Sequence, residues 1–269
     1  MAENQTVKEM YESIKPVTRI WLTAAFAVTM GARFGVVDLG LLVFVPLKVW
    51  KKFEIWRLVT SFFFLGMPSF NWLIRMYNLY RYGQGLEMNP FPAGSGMHEG
   101  NLADHFWGLL VVAMFTLVAG FFLQFQVLGP SLLAGVIYLW SKRNPNTDVT
   151  LYFFKMKAIY MPWAMVLLAL ALGDDPVPDL VGIAAAHLFY FLHDVLPGEA
   201  YLPDFIKGVN IVSTPNFIYR LFDLPRTDFS AGAQRAMEAR FAANRPAVGP
   251  AGVPRFQGQG HVLGRANNQ

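Results

Sequence analysis

Glu54-Ile55-Trp56-Arg57 runs directly into Leu58-Val59-Thr60-Ser61-Phe62-Phe63-Phe64-Leu65, and a basic, aromatic stretch (Lys48, Trp50, Lys51, Lys52, Phe53) leads into it. A Trp-Arg pair between apolar segments has the chemistry of a membrane-interface anchor. Its indole sits at headgroup level and its guanidinium reaches back to phosphate. The Gly66-Met67-Pro68-Ser69 break that follows predicts that Leu58–Leu65 dips into a membrane without crossing it. A spanning helix would then start near Phe70.

The rest of the chain supports a membrane setting. Hydrophobic residues make up 54% and charged residues 15%, with a mean hydropathy of +0.35, which is too apolar for an ordinary soluble domain. All seven tryptophans (Trp21, Trp50, Trp56, Trp72, Trp107, Trp140, Trp163) lie in or near the end of an apolar run, as an aromatic belt requires. There is no cysteine, which excludes disulfides and thiolate metal sites. The net charge of +4 lies mostly in the C-terminal tail, so it marks one face and is no nucleic-acid footprint.

Six apolar segments are expected. They are Ile20–Phe34, the broken stretch from Leu58 that resumes as Phe70–Tyr82, Phe106–Leu123, Val127–Trp140, Ala158–Leu172 and Leu180–Leu192. Crossing about 30 Å of hydrocarbon takes about 20 residues, and the fourth and sixth segments fall short of that. Short helices are accommodated by bilayer thinning or by burial in a bundle. The fold class read here is therefore an all-α, polytopic membrane protein: a six-helix bundle with a membrane-associated first loop and a disordered tail.

Charge sets the orientation. Lys8, Lys15, Arg19, Lys142, Arg143, Lys155, Lys157 and the basic tail fall on one side, which is then cytosolic, while Asp174, Asp175 and Asp179 fall on the other. The first loop breaks the rule with Arg33, Lys48, Lys51, Lys52 and Arg57, as a loop lying in the interface would. The first 19 residues, mixed in charge and without a cleavage site, are expected to be a retained cytosolic segment ahead of an uncleaved anchor. The Asn4-Gln5-Thr6 sequon is expected to stay unused. The membrane domain is placed at 20–196, a cytosolic juxtamembrane segment at 197–226, and a disordered Ala-, Gly-, Pro- and Arg-rich tail at 227–269.

Candidates for chemistry are few. Ser131 in Gly129-Pro130-Ser131-Leu132 and His187 in Gly182-Ile183-Ala184-Ala185-Ala186-His187 are the pair an intramembrane serine protease would need on facing helices. The alternatives are a helix-start cap for Ser131 and an interhelical hydrogen bond for His187. His193-Asp194 reads as a segment-end pair. Small residues four apart, Gly31…Gly35 and Gly182…Ala186, are candidates for close helix packing. No metal-ligand spacing or phosphate loop is present, and no cofactor or metal is expected.

These residues resemble a known family. Trp56-Arg57 in a membrane-associated first loop, six helices, and a small-xxx-small motif followed by His187 in the sixth are similar to the rhomboid superfamily, and specifically to derlins, its proteolytically inactive branch. The resemblance includes Asn78-Leu79-Tyr80 with Leu86-Glu87, Tyr138-Leu139-Trp140 ahead of Asn144-Pro145, Lys157 with Tyr160-Met161-Pro162-Trp163, and the run Ser213–Arg220. Near the C-terminus, Phe256-Gln257-Gly258-Gln259-Gly260-His261-Val262-Leu263-Gly264 resembles the SHP box by which derlins recruit the AAA+ ATPase valosin-containing protein. Phe256 and Leu263 would be its anchors, with Gly258 and Gly260 letting the backbone lie flat. Two departures stand out: Ala186 occupies a usual glycine position, and the rhomboid Gly-x-Ser-Gly is not met at Ser131.

The resemblance implies a pseudoprotease of the endoplasmic reticulum membrane, with both termini cytosolic. It would help move misfolded proteins to the cytosol beside a ubiquitin ligase complex, and no catalytic residue is expected. The implied partners are that ATPase, the ligase complex, misfolded substrates, membrane lipids and a homo- or hetero-oligomer, but no nucleic acid. An active protease using Ser131 and His187, or a passive channel or carrier, are the alternatives.

Overall fold

Proline and short polar residues punctuate the helices. The computed structural model describes residues 7–91, 100–151, 154–196 and 211–225, all within a compact unit spanning Met1–Thr227. Helix α1 (Val7–Glu12) precedes α2 (Pro16–Arg33), whose first turn is preset by Pro16. Three short helices form the first loop: α3 (Leu39–Leu42), α4 (Pro46–Lys52) and α5 (Arg57–Thr60). Next, α6 (Phe70–Asn78) begins where Ser69 Oγ accepts from Trp72 N, at 3.2 Å. It continues through a π-helical turn, Leu79–Gly83, into α7 (Gln84–Met88).

The second half begins with α8 (Leu102–Leu123), opened by a reciprocal capping box between Asn101 and Asp104. Then come α9 (Gly129–Arg143), α10 (Met161–Ala171) and α11 (Val177–Tyr190), the last extended by a π-helical turn at Phe191–Val195. A short α12 (Asn216–Leu221) follows. Buried on nearly every side, α9 is the axis of the bundle, with α8, α10, α11 and the α6–α7 rod packed around it. Leu132, Leu133, Val136, Ile137 and Leu139 carry its contribution to the core.

Several expectations change. Between α9 and α10 the chain forms an antiparallel hairpin, β1 (Asp148–Leu151) with β2 (Phe154–Lys157), so the fold is mostly helical but not all-α. Alternation explains it: Val149 points inward while Asp148 and Thr150 face out, and Asp148 opposite Lys157 makes a 2.6 Å ion pair. The Gly31…Gly35 pair makes no helix seam. Gly35, at φ +72°, ends α2 in the left-handed region, and Gly31 O accepts from Val36 N and Val37 N.

Among the described residues, α8 is the one helix long and apolar enough by itself to cross a membrane. Its 22 residues span about 33 Å, whereas the 11 of α10 span about 16 Å and the 15 of α9 about 22 Å. Each of the six apolar segments contains a helix, although Ser61–Leu65 in the second is turn and irregular chain, and length alone does not make each of them a span.

Candidate functional site

Helix α3 is a single turn, so its last carbonyls have no intrahelical partners. Side chains from α5 and the residue before it take all four carbonyls from Gly40 to Val43. Arg57 donates through Nη1 to Gly40 O (2.6 Å) and Val43 O (2.8 Å), Trp56 Nε1 donates to Leu41 O (3.3 Å), and Thr60 Oγ1 to Leu42 O (2.9 Å). Arg57 Nε also pairs with Glu54 at 2.6 Å. The guanidinium is 0% exposed. The snorkelling expected for Arg57 is therefore replaced by an inward staple, because the carbonyls of an orphaned helix end lie within its reach. Trp56 stays half-exposed at the rim.

The rest of the loop has two faces. Ser61, Phe62, Phe64 and Leu65 are buried, and the carbonyls of Ser61, Phe62 and Leu65 tie the loop to three helices. Ser61 O accepts from Leu128 N and Gly129 N at the start of α9, Phe62 O from Trp21 Nε1 of α2, and Leu65 O from Arg75 Nη1 of α6. A Cβ at Gly129 would overlap Phe64 O, so that position must stay bare for the loop to seat. Outward, Leu47, Trp50, Phe53, Ile55 and Val59 are exposed beside Lys51 and Lys52.

Beneath the loop, α9 and α11 make the closest helix contact. A Cβ at Gly182 would overlap the Ser131 carbonyl. One turn on, Ala186 faces Gly135, where a built Cβ would lie 3.4 Å from the Ala186 methyl. The alanine at 186 is thus accommodated by the glycine opposite it. Farther along the same seam, His187 Nδ1 and Tyr138 Oη are 2.6 Å apart, and the Lys142 ammonium lies over the Tyr138 and Tyr190 rings, 5.4 Å from each centroid.

Ser131 is buried inside the first turn of α9, and its hydroxyl has no hydrogen-bond partner among the described residues. It is no cap, since Ser61 O already serves that helix end. Nor does it form a dyad with His187: the Ser131 hydroxyl makes no hydrogen bond to that ring, whose Nδ1 is paired with Tyr138. His193 and Asp194 lie in the π-helical turn that ends α11, where His193 is buried and bonded at 2.6 Å to the partly exposed Asp194. Among the described residues no group of three or more His, Cys, Asp or Glu could hold a metal ion. Phe256, Gly258, Gly260 and Leu263 lie outside the described residues, as does the Asn4 sequon.

Comparison with known proteins identifies the family. The model of the Der1-like family matches residues 14–216, which takes in the first loop, the α9–α11 seam and the start of α12. The chain belongs to the Der1-like family. It is 33% identical over 259 residues to Derlin-1.2 of Zea mays, covering 95% of this chain and 97% of that protein. It is 39% identical over 201 residues to Derlin-1 of Arabidopsis thaliana, covering 72% and 73%. Derlin-1 of Oryza sativa subsp. japonica is 31% identical over 258 residues, at 95% and 97% coverage.

Two buried carboxylates of this Der1-like chain escaped sequence reasoning as sites. Glu87 of α7 accepts from Val17 N (2.9 Å), Thr18 N (2.8 Å) and Thr18 Oγ1 (2.7 Å), so it caps α2, which has no side-chain cap of its own. Asp104 accepts from Thr214 Oγ1 (2.7 Å) and from the Tyr219 hydroxyl, as well as from Asn101 N. Trp107 Nε1 to Val212 O (2.9 Å) and Asn101 Nδ2 to Pro225 O (2.8 Å) complete the docking of residues 211–225 on the start of α8. Asn101-x-x-Asp104 has the spacing of a capping box, a local signal that could have marked the start of α8; nothing local signals its use by residues more than 100 positions away.

Proposed function

We propose that this Der1-like chain works in ER-associated degradation, assisting the passage of misfolded proteins from the endoplasmic reticulum to the cytosol. The observation that carries the reading is the inequality of the outward-facing helices. Exposed apolar side chains on α10 (Trp163, Leu167, Leu170) sit on a helix half the length of α8, whose own flank exposes Met114, Val118 and Phe122. A bilayer that must meet both is thinned beside α10, which lowers the barrier to a polar backbone. The aromatic and basic outer face of the first loop, held in place by Arg57, then perturbs the opposite leaflet. Six helical segments cross or enter the membrane, with both termini in the cytosol.

Phe256–Leu263 recruits a valosin-containing-protein-type AAA+ ATPase that supplies the pulling force beside a membrane ubiquitin ligase. Deleting Phe256–Leu263 from the detergent-solubilised protein should abolish ATPase co-purification and slow substrate turnover. Unchanged co-purification would sink the ATPase link. The chain is a pseudoprotease in this reading, which the unpartnered, buried Ser131 supports. Labelling by a serine-directed activity probe that disappears in Ser131→Ala would reverse it.

A further inference from the structure

Short as it is, α12 has three sides. At about 100° per residue, Ile218 and Tyr219 share one side, and both are buried against α8 around Ala103. Phe217 and Leu221 share the second, and they are 61% and 70% exposed. Arg220 lies on the third, together with Asn216, and is exposed.

The exposed apolar side is continuous with a larger surface. Phe217 meets the Trp107 ring edge-on, with centroids 6.4 Å apart. From Trp107 onward, α8 exposes Leu110, Met114, Val118 and Phe121 at helical spacing. Phe217 and Leu221 thus extend the outer stripe of the one described helix with the length and apolarity of a span. Trp107 stands in the second turn of α8, the depth at which interfacial tryptophans sit. Its indole N–H is already taken by Val212 O, so the docked segment occupies the place that headgroups would otherwise fill.

From this continuity we infer that α12 is a foot set into the membrane leaflet at the N-terminal end of α8. Phe217 and Leu221 rest among acyl chains and Arg220 reaches phosphate. The partner is a lipid surface, and the site rests on the membrane reading above. On that topology the leaflet is the cytosolic one. The foot fixes at the membrane surface the point from which the chain beyond Pro225 departs. Asp104, through Thr214 and Tyr219, sets the angle at which the foot meets the lipid.

The chain has no cysteine, so a single introduced thiol can carry an environment-sensitive fluorophore at one position. Phe217→Cys, Leu221→Cys, Arg220→Cys and Phe122→Cys variants of the full chain would be labelled and reconstituted in phosphatidylcholine vesicles containing some phosphatidylserine. Probes at 217, 221 and 122 should lose most of their fluorescence to lipids brominated on the acyl chains, and the probe at 220 should lose its own to aqueous iodide. Iodide quenching at 221 as complete as at 220, with no effect of brominated lipid, overturns the foot. Shielding of 217 and 221 from both quenchers also overturns it, in favour of a protein contact. If 122 is quenched by lipid and 221 is not, the foot fails alone; if neither is, the membrane reading fails with it.

Discussion

Arg57 and Asp104 perform the same task with opposite charges. Each is buried, and each holds in place a part of the chain that spans nothing: Arg57 staples the first loop to itself, and Asp104 ties the segment 211–225 to α8. Their reach differs. Arg57 bonds to groups 3, 14 and 17 residues away, whereas Thr214 and Tyr219 lie 110 and 115 residues from Asp104. A local staple folds with its own loop, while a distant one closes only after α8 and the end of the chain have been brought together. The first loop should therefore be the more stable attachment, and the foot on α8 the more easily released.

Substitution can break that ordering. Arg57→Ala has the largest expected effect, because it strands Glu54 and two buried carbonyls; losing one partner of a buried pair costs about 3–5 kcal/mol. Melting in detergent should fall accordingly, with trypsin gaining access at Lys48, Lys51 and Lys52, and Arg57→Lys should restore little since one ammonium cannot span Gly40, Val43 and Glu54 together. Asp104→Asn comes next, at about 2 kcal/mol for weakened hydrogen bonds to a charged group. Its signature is proteolysis within 211–225 while the first loop stays protected, and simultaneous release of both segments would show that the two attachments are one unit.

Smaller effects sharpen the same contrast. A double-mutant cycle of Asp104→Asn with Tyr219→Phe should show coupling of about 1 kcal/mol, as expected for residues in one hydrogen-bond network. The same cycle between Arg57→Ala and Tyr219→Phe should show none within error. Thr60→Val removes one bond, to Leu42 O, and should cost about 1 kcal/mol, read as a small shift in melting with no change in the 211–225 cleavage pattern.

What was legible in the sequence follows the same division. Ser69, Asn101 and the prolines at 16, 46, 130 and 162 mark helix starts from within a few residues, because caps and first turns are local chemistry. Gly182 and Gly31 look alike in sequence, since each begins a small-xxx-small pair. Only the packing shows that Gly182 bears on Ser131, whereas Gly31 only accepts the bonds that close the C-terminal end of its own helix. The Trp56-Arg57 pair could be singled out from its neighbours, but not the direction of its guanidinium.

By itself, the sequence determined the apolar character, the approximate course of the main apolar segments with the break after Leu65, and the Trp-Arg pair as a feature of the first loop. Tertiary structure decided where Arg57 points, which glycine carries a helix contact, and that Asp104 holds the other end of the chain. The physical reason is range. Helix starts and breaks depend on backbone groups a few residues away, whereas a buried charge goes wherever folding leaves unpaired donors or acceptors. For Asp104 those are supplied by residues more than a hundred positions along the chain.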